Sequence, residues 1–387
     1  MRLHHRLTHW LERNWVSPAY SGWLLIGLSL FFFGAATNTM AGWLYVISGT
    51  LMALLVIAAV LPAQVLRPLR VERSPIAPVH SGDTLSLELH LFNASAHPQR
   101  LVLVQDWVPP ALGNPVKTAV DLIPARGSYR WVYNYPAVAR GIYRWQHVEL
   151  RTATPLGLFW CCRPRSANAR AVVYPKVLPL ARCPLIDDLG QNLHQQVASP
   201  VQARAATTGV TRTLRPYRWG DATRLIHWRS SARYGELRVR ELETYTGGRD
   251  IVIGLDSALY WPSASFEQAV VAAASLYRYA QQQQLRVSLW TAKTGLVQTP
   301  TAVLETLAAT QPQEAPLAAP PRDEPLLWLT ADQSRLSALS VSSRWLLWVE
   351  ETAALPQAFD RDLPCPGVII LSNTPLPQQL QSALRNG

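Results

Sequence analysis

Lysine is nearly absent from this chain. The 387 residues include 36 basic side chains, and only three of these are lysines: Lys117, Lys176 and Lys293. Arginine therefore carries the formal net charge of +11, and nine arginines fall between Arg204 and Arg240 against two acids. Seven of the eleven surplus charges thus lie in one segment, and such a local basic patch implies an acidic partner more than a uniform charge would.

Cysteine is also scarce, and its spacing fits no metal-binding motif. The four cysteines are Cys161, Cys162, Cys183 and Cys365, with no CxxC pair and no histidine at zinc-finger spacing. We therefore do not expect a structural zinc site. Scattered thiols suit the reducing cytosol better than an oxidising compartment.

Charge is missing altogether from Asn14 to Leu66, a run of 53 residues. Within it, Gly22–Ala36 and Gly42–Leu61 are strongly apolar and are separated by a polar Thr-Asn-Thr break. A bilayer core requires roughly 20 apolar residues per helix, so this run predicts a transmembrane helical hairpin over residues 1–66. The alternatives are a secretory signal peptide, which would show one span and a cleavage site, and a buried helical pair of a soluble core.

The flanks of the hairpin predict its orientation. Arginines occur on the outer side of both spans and not in the turn: Arg2, Arg6, Arg13, Arg67, Arg70 and Arg73. Because positive residues stay on the cytoplasmic side, both ends of the hairpin should face the cytoplasm. We expect a multi-pass protein of the inner (plasma) membrane with the bulk of the chain in the cytoplasm.

The chain beyond the hairpin changes its hydrophobic period twice. Residues 67–180 contain short alternating runs, such as Thr84–Leu91, separated by turn signals, which predicts an antiparallel β-sandwich. Residues 250–387 alternate short apolar runs with helical patterns, which predicts a doubly wound α/β domain with a parallel sheet. The predicted elements there are strands at 250–256, 285–291, 326–330, 345–350 and 367–372, helices at 266–284 and 375–385, and a loop at 310–325.

Residues 181–249 contain the arginine-rich segment, in which Tyr217, Trp219, Trp228 and Tyr234 are interleaved with the charges. Such aromatics are out of place in a solvated tail, so this segment should be folded. We expect Asp221 to cap a helix from Ala222 to Ala232. The candidate partner-binding residues are Arg212, Arg215, Tyr217, Arg218, Gly220, Asp221, Arg224, His227, Trp228 and Arg233.

The same segment resembles the core signature of the bacterial DUF58 family. The matching positions are Gly209, Leu214, Arg215, Tyr217, Gly220, Asp221, Arg224, Ile226, Trp228, Ala232, Arg233, Leu237 and Glu241. The strings Arg140-Gly141-Ile142-Tyr143 and Thr154-Pro155-Leu156-Gly157-Leu158-Phe159 are similar to its β region. The resemblance implies a C-terminal domain similar to a von Willebrand factor A domain, and an association with MoxR-type AAA+ ATPases and sometimes with transglutaminase-like membrane proteins.

This chain departs from the family pattern at several positions. A full metal-dependent adhesion site has Asp-x-Ser-x-Ser after the first strand, whereas only Asp256 remains here, with Ala258 and Tyr260 at the serine positions. Asp256 is thus the single candidate ligand for Mg²⁺ at a degenerate site, which Tyr260 would crowd, and we expect no resident cofactor. Pro216 and His227 replace acids of the family pattern, which makes this patch more basic.

These observations favour a non-enzymatic membrane-tethered scaffold or adaptor that docks a cytoplasmic partner such as a MoxR-type AAA+ ATPase and assists assembly of other proteins. One alternative is a hydrolase that uses Asp221 and His227 as an acid–base pair. Another is binding of single-stranded nucleic acid or anionic lipid by the arginines and aromatics, of which nucleic acid is the less expected partner.

Overall fold

The computed structural model describes residues 11–190, 210–219, 223–243, 251–321, 324–349, 363–371 and 373–384. The chain divides into two compact units, Met1–Pro175 and Lys176–Gly387. The first contains an apolar helical pair and a β-sandwich, and the second contains a parallel sheet and the arginine-rich segment.

The apolar run forms two long helices, α1 (Tyr20–Thr39) and α2 (Gly42–Leu66). Both are long and apolar enough to cross a membrane, and only 17% and 22% of their most apolar windows are buried within the protein. A helical pair from a soluble core would instead bury most of that surface. The two candidate spans therefore support membrane association, as the sequence predicts.

Two serines join these helices at their centre. The Ser29 hydroxyl donates to the Ser48 carbonyl at 3.2 Å, and the Ser48 hydroxyl donates to the Ser29 carbonyl at 3.0 Å. Both serines are buried between the helices. Small residues allow apolar helices to approach closely, and such hydrogen bonds hold them together where water is absent.

The remainder of the first unit is a sandwich of two mainly antiparallel sheets. One sheet has the order β1-β9-β8-β5-β6 with β3 beside β9, and the other has the order β2-β4-β7. The strands are β1 (Ser17–Pro18), β2 (Leu69–Arg73), β3 (Val79–His80), β4 (Thr84–Asn93), β5 (Gln99–Asp106), β6 (Lys117–Ile123), β7 (Ser128–Pro136), β8 (Gly141–Thr152) and β9 (Phe159–Tyr174). The predicted antiparallel β-structure is confirmed.

Alternation along the strands builds the sandwich core. In β4, Leu85, Leu87, Leu89 and Leu91 are all fully buried and point to one face. They pack with apolar side chains of the facing sheet, including Val104 and Leu150. Because successive side chains of a strand point to opposite faces, this period of two fixes which face of β4 is inside.

The helical pair is joined to the sandwich through the turn between β8 and β9. Phe159 packs against Leu55 and Ala58 of α2 in a small apolar cluster. The Ala19 amide donates to the Leu158 carbonyl at 2.8 Å, and β1, just before α1, pairs with the start of β9. The helices are thus part of the same packed unit as the sandwich.

The sandwich also contains a buried ion pair. The Arg73 guanidinium donates to both oxygens of Asp106 at 3.0 and 2.9 Å, and the two side chains are 2% and 0% exposed. The Tyr133 hydroxyl and the Trp145 indole N–H also donate to Asp106. Burial, with the Asp106 carboxylate beside it, raises the pKa of Tyr133, which therefore stays a neutral donor.

The second unit is built on a six-stranded sheet of order β14-β13-β12-β15-β16-β17. Five strands are parallel and β14 is an antiparallel edge strand. The strands are β12 (Ile251–Leu255), β13 (Val287–Thr291), β14 (Gly295–Val297), β15 (Leu326–Thr330), β16 (Arg344–Val349) and β17 (Gly367–Leu371). The predicted parallel sheet is confirmed, and its order places a topological switch point between β12 and β15.

Four helical segments of this unit pack on one face of the sheet: residues 184–190, α4 (Ser263–Gln282), α5 (Pro300–Ala309) and α6 (Leu376–Leu380). In the described part of the chain, the opposite face is covered by tryptophans and by the 3₁₀ helix Gln333–Ala338. The predicted arrangement of helices on both faces is therefore not found there. The expected closing helix at 375–385 is also too long, because it ends at Leu380.

Candidate docking site

The described part of the arginine-rich segment, residues 210–219 and 223–243, is here called the basic hairpin. Its two strands, β10 (Val210–Pro216) and β11 (Arg238–Glu243), pair antiparallel with Pro216 opposite Arg238. The register shifts between Thr211 and Thr213, so Arg212 lies at a bulge. The hairpin is a folded element, as the interleaved aromatics predict.

A short helix, α3 (Trp228–Tyr234), lies between the two strands, and His227 is its N-cap. The Ser230 amide donates to Nδ1 of His227 at 3.2 Å, and the Ser230 hydroxyl lies 2.8 Å from the same nitrogen. Gly235 ends the helix in the left-handed conformation at φ 72°. A side-chain acceptor at the start and a glycine at the end are the usual limits of a helix.

The predicted helix from Ala222 to Ala232 is therefore wrong. Thr223–Leu225 form a 3₁₀ turn, and the His227 amide donates to the Arg238 carbonyl at 2.8 Å. Ile226 forms an isolated bridge with Val239 of β11. Because Ile226 and His227 form backbone hydrogen bonds with β11, they are not part of a helix, and the helix begins only after His227.

One side of the basic hairpin is buried by a few small contacts. Ile226 and Val239 are 6% and 2% exposed. The buried Ser231 hydroxyl donates to the His227 carbonyl at 3.1 Å and accepts from the Arg238 amide at 2.8 Å. These contacts fix α3 on the strands and determine which side chains remain outside.

The outer side of the hairpin is aromatic and basic. Trp219 is 100% exposed, Trp228 65% and Tyr234 56%. Arg229 and Arg233 on α3 are exposed between them. The Arg238 guanidinium lies 4.2 Å from the centre of the Tyr234 ring, which is a cation–π contact.

The structure places the sequence-predicted residues unevenly. Arg215 and Tyr217 are half-buried on the strand side, with the Tyr217 amide donating to the Leu237 carbonyl at 2.8 Å, whereas Arg218, Trp228 and Arg233 are exposed. Arg212 lies on β10 and Arg224 in the 3₁₀ turn. Gly220 and Asp221 lie outside the described residues.

Sequence reasoning left four residues out of the candidate site: Trp219, Arg229, Tyr234 and Arg238. The structure brings Tyr234 and Arg238 into contact and exposes Trp219 completely. The signal that could have identified them is the interleaving of aromatic residues and arginines along this segment. The sequence could not show which of these side chains point outward, because that depends on the pairing of the two strands.

The other candidate, Asp256, follows β12 at the switch point and is 3% exposed. Its carboxylate accepts from the Thr330 hydroxyl at 3.5 Å, and burial raises its pKa, which Arg335 partly offsets. Within the described ranges there is no group of three or more His, Cys, Asp or Glu side chains that could hold a metal ion, so the Mg²⁺ hypothesis gains no support. Tyr260 was expected to crowd the site but is 74% exposed.

The segment after α5 explains why Asp256 is closed off. The Glu314 amide donates to the Ser257 carbonyl at 3.0 Å, and the Leu317 amide donates to the Ala292 carbonyl at 2.9 Å. The segment thus crosses the carboxyl ends of β12 and β13, on one side of the switch point between β12 and β15. The predicted loop at 310–325 is found in its described residues, 310–321 and 324–325, and it covers the ends of β12 and β13.

Comparison with known proteins assigns no family. No family model matches the chain, and no curated protein matches it. Solved structures with weak likeness include the CARDB domain of a Pyrococcus furiosus protein, with 13% identity over 27% of this chain and 94% of that one at a TM-score of 0.20. A β-glucosidase from Listeria innocua matches at 13% identity over 26% of this chain and 16% of that one, with a TM-score of 0.16.

A third likeness is to the alkylpurine DNA glycosylase AlkC of Pseudomonas fluorescens. It has 14% identity over 26% of this chain and 31% of that chain, at a TM-score of 0.15. All three scores are too low to support an argument about fold or activity. The functional argument therefore rests on the residues of this chain.

Proposed function

We propose that this protein is a membrane-tethered cytoplasmic scaffold of the DUF58 type, whose basic hairpin docks an acidic surface of a partner protein. The observation that carries the proposal is the outer side of that hairpin, where Trp219, Trp228 and Tyr234 are exposed beside Arg229 and Arg233. Tryptophan, tyrosine and arginine are the residues most enriched among those that dominate binding at protein interfaces.

The tether is the pair α1 and α2, crossing the inner membrane with both ends in the cytoplasm. The arginines flanking the two helices support this orientation, together with the uncharged turn between them. The large outward-facing apolar surface of both helices supports a lipid environment, since few soluble proteins expose so much contiguous apolar area.

The second unit is proposed to be a variant of the von Willebrand factor A fold that lacks a working metal site. The parallel sheet supports this assignment, as does Asp256 directly after its first strand. The covered strand ends around Ser257 and Ala292 favour a binding surface elsewhere on this unit. The basic hairpin is the exposed alternative.

The partner class that the DUF58 resemblance suggests is a MoxR-type AAA+ ATPase. We would immobilise the full chain in detergent and add a purified ATPase of this class, with and without ATP. Trp219→Ala should weaken binding by about tenfold or more, as for loss of an interface hot spot. Arg229→Ala combined with Arg233→Ala should reduce the association rate and its salt dependence.

Two variants control for loss of a bulky or basic surface residue outside the hairpin. Tyr260→Ala removes an aromatic ring that is 74% exposed in the same unit, and Arg144→Gln removes an exposed arginine of β8. Both should bind as the wild type does. Absence of wild-type binding in either nucleotide state, or equal binding by Trp219→Ala, would contradict the proposal.

A second candidate function has one specific observation in its favour. Arginine and aromatic faces stack on unpaired bases, and the Arg238–Tyr234 contact forms one such face. Binding of a single-stranded oligonucleotide would then fall steeply with salt concentration. No retention of oligonucleotide at low salt would eliminate this function.

The hydrolase alternative is disfavoured by the position of His227. Its Nδ1 serves as the acceptor that caps α3, and Asp221 lies outside the described residues. Replacement of His227 by Asp, the residue of the family pattern, should abolish acid–base catalysis by this pair but leave a docking function intact. An unimpaired cell phenotype of His227→Asp would therefore exclude the hydrolase.

A further inference from the structure

A cavity of about 420 Å³ lies between the C-terminal end of α2 and the sandwich. Its volume is within the range of roughly 300–1,000 Å³ that is usual for small-molecule sites. The cavity is bounded by α2, by the turn between β4 and β5, and by the turn between β8 and β9. We call it the α2 cavity.

One wall of the α2 cavity is apolar and belongs to the proposed membrane helix. It is formed by Leu61 and Val65 of the helix and by Pro68 just after it. At a rise of 1.5 Å per residue, Leu61 lies about 30 Å from the start of α2 at Gly42, which is the thickness of a bilayer core. The first polar and charged residues after the apolar run are Gln64 and Arg67, so the cavity is at the level of the lipid headgroups.

The opposite wall is basic and polar. His97 contributes to it from the turn between β4 and β5, and Arg100 contributes from the start of β5. Both side chains are exposed, and neither has an ion-pair partner among the residues that the structure describes. The eleven lining residues include no carboxylate. An unneutralised guanidinium in a concave site favours an anionic ligand.

The basic wall is held rigidly from behind. The side-chain amide of the buried Asn93 donates to the His97 carbonyl at 2.8 Å, and the side-chain amide of Gln99 donates to the Ser95 hydroxyl at 3.1 Å. The Thr154 hydroxyl donates to the Arg100 carbonyl at 3.0 Å, which links the turn between β8 and β9 to the start of β5. Backbone that is fixed in this way presents its cationic side chain at a constant place, which lowers the entropic cost of binding.

We propose that the α2 cavity binds an anionic glycerophospholipid of the cytoplasmic leaflet, with its phosphate at Arg100 and His97 and its acyl chain along Leu61 and Val65. The inference rests on the membrane tether of the proposed function. A lipid explains why the apolar and basic walls meet at headgroup depth, whereas a free anion would need only the basic wall. Anionic lipids are concentrated in that leaflet and attract juxtamembrane basic residues.

The test uses the full chain reconstituted into vesicles of phosphatidylcholine, with or without phosphatidylglycerol. Flotation of the vesicles reports the tether, and native mass spectrometry of detergent extracts reports the retained lipid. Wild type should float with both vesicle types and retain phosphatidylglycerol in preference to phosphatidylcholine. Arg100→Gln should float equally but bind phosphatidylglycerol about tenfold more weakly, or ~1.4 kcal/mol.

Two further variants control for charge. Arg100→Lys should keep most of the preference, since it retains the positive charge. Arg144→Gln removes an exposed arginine near the other end of β8. Arg144 is eight residues before Thr152, the end of β8 next to the cavity, which is about 26 Å at the rise of a strand. This variant should retain phosphatidylglycerol as the wild type does.

Each contrary result has a distinct meaning. If wild type floats but shows no preference, or Arg100→Gln keeps it, the lipid site is wrong and the tether stands. If inorganic phosphate displaces phosphatidylglycerol at comparable concentration, the occupant is a free anion and the lipid assignment is overturned. If wild type does not float, the tether and the lipid site both fail.

Discussion

Gly22 at the start of α1 faces the carbonyl oxygen of Leu158 so closely that a Cβ at position 22 would overlap it. The Ala19 amide donates to the same oxygen at 2.8 Å, so the first turn of α1 is held against the turn between β8 and β9. Only glycine allows this approach, because any side chain would have to displace backbone rather than a flexible neighbour.

Gly22→Ala should therefore destabilise the first unit by about 1–3 kcal/mol, as expected for an overpacked contact. The matched control is Gly27→Ala in the same helix, where nothing lies within 4 Å of the added Cβ. Thermal unfolding of the full chain in detergent, followed by proteolysis, measures both. Equal melting of the two variants would mean that this contact does not hold the helix.

The Ser29–Ser48 pair makes a second testable contribution within the helical pair. Ser29→Ala and Ser48→Ala should each cost about 0.6 kcal/mol, the average for interhelical hydrogen bonds in membranes. The double variant tests whether the two reciprocal bonds are coupled. Thr50→Ala is the control, since the Thr50 hydroxyl bonds to the Ile47 carbonyl of its own helix. A comparable loss from the control would contradict the interhelical role.

The buried pair in the sandwich should be costly to break. Asp106→Ala leaves the Arg73 guanidinium buried without its carboxylate, and we expect a loss of about 3–5 kcal/mol. Adding Arg73→Met to Asp106→Ala should recover part of this loss, because no lone charge remains inside. Denaturant unfolding measures the free energies. The exposed pair Arg130–Glu88, joined at 2.6 Å, is the control, and Arg130→Ala should change nothing measurable.

The cap of α3 can be tested by two substitutions at one position. His227→Ala should cost about 0.5–2 kcal/mol of local stability, because the Ser230 amide loses its acceptor. His227→Asp should be tolerated, since aspartate is a preferred N-cap. Hydrogen exchange at the Ser230 and Ser231 amides reports the difference. If the aspartate variant exchanges as fast as the alanine variant, His227 does more than cap the helix.

The buried thiols should make the protein less stable at alkaline pH. Burial raises the pKa of Cys162 to about 12 and that of Cys183 and Cys365 to about 11. Each folded pKa is above the unfolded value of about 8.5. The unfolded chain therefore loses these protons first, so stability is complete below about pH 8.5 and falls as pH rises toward 11–12.

A thiol titration with a chromogenic disulfide checks this prediction. At pH 8 the four buried cysteines should be unreactive in the folded protein and should all react after denaturation. Melting temperatures measured from pH 8 to 11 should decrease steadily. Rapid reaction of any thiol in the folded state would show that its surroundings open to solvent.

Local patterns predicted the elements whose packing follows from their own sequence. The alternation from Thr84 to Leu91 matches β4, and the apolar runs at 250–256 and 326–330 match β12 and β15. Alternation indicates a strand with one buried face, and a continuous apolar run indicates a strand buried on both faces. These elements needed no knowledge of distant residues.

Elements that depend on distant partners escaped prediction. The strand β9, which sequence reasoning did not predict as a separate element, contains Arg163 and Arg165. Arg163 donates to the carbonyls of Arg13 and Trp15, and Arg165 donates to those of Leu66 and Leu69. Both arginines therefore bind backbone carbonyls at or next to the ends of the helical pair. Likewise His227 fits a helical pattern locally, but its amide donates to the carbonyl of Arg238 on β11. Such bonds span many residues and leave no periodic trace.

The pairing of β1 with β9 means that the sandwich is completed by residues on both sides of the helical pair. A shortened chain that begins after Leu66 would lack Ser17 and Pro18, leaving Phe159 and Trp160 as an open sheet edge, and the Phe159 ring would lose Leu55 and Ala58. Open edges of this kind promote self-association. The helical pair and the residues before it thus complete the fold of the first unit. Biochemical work on this protein therefore requires the whole chain in detergent or lipid.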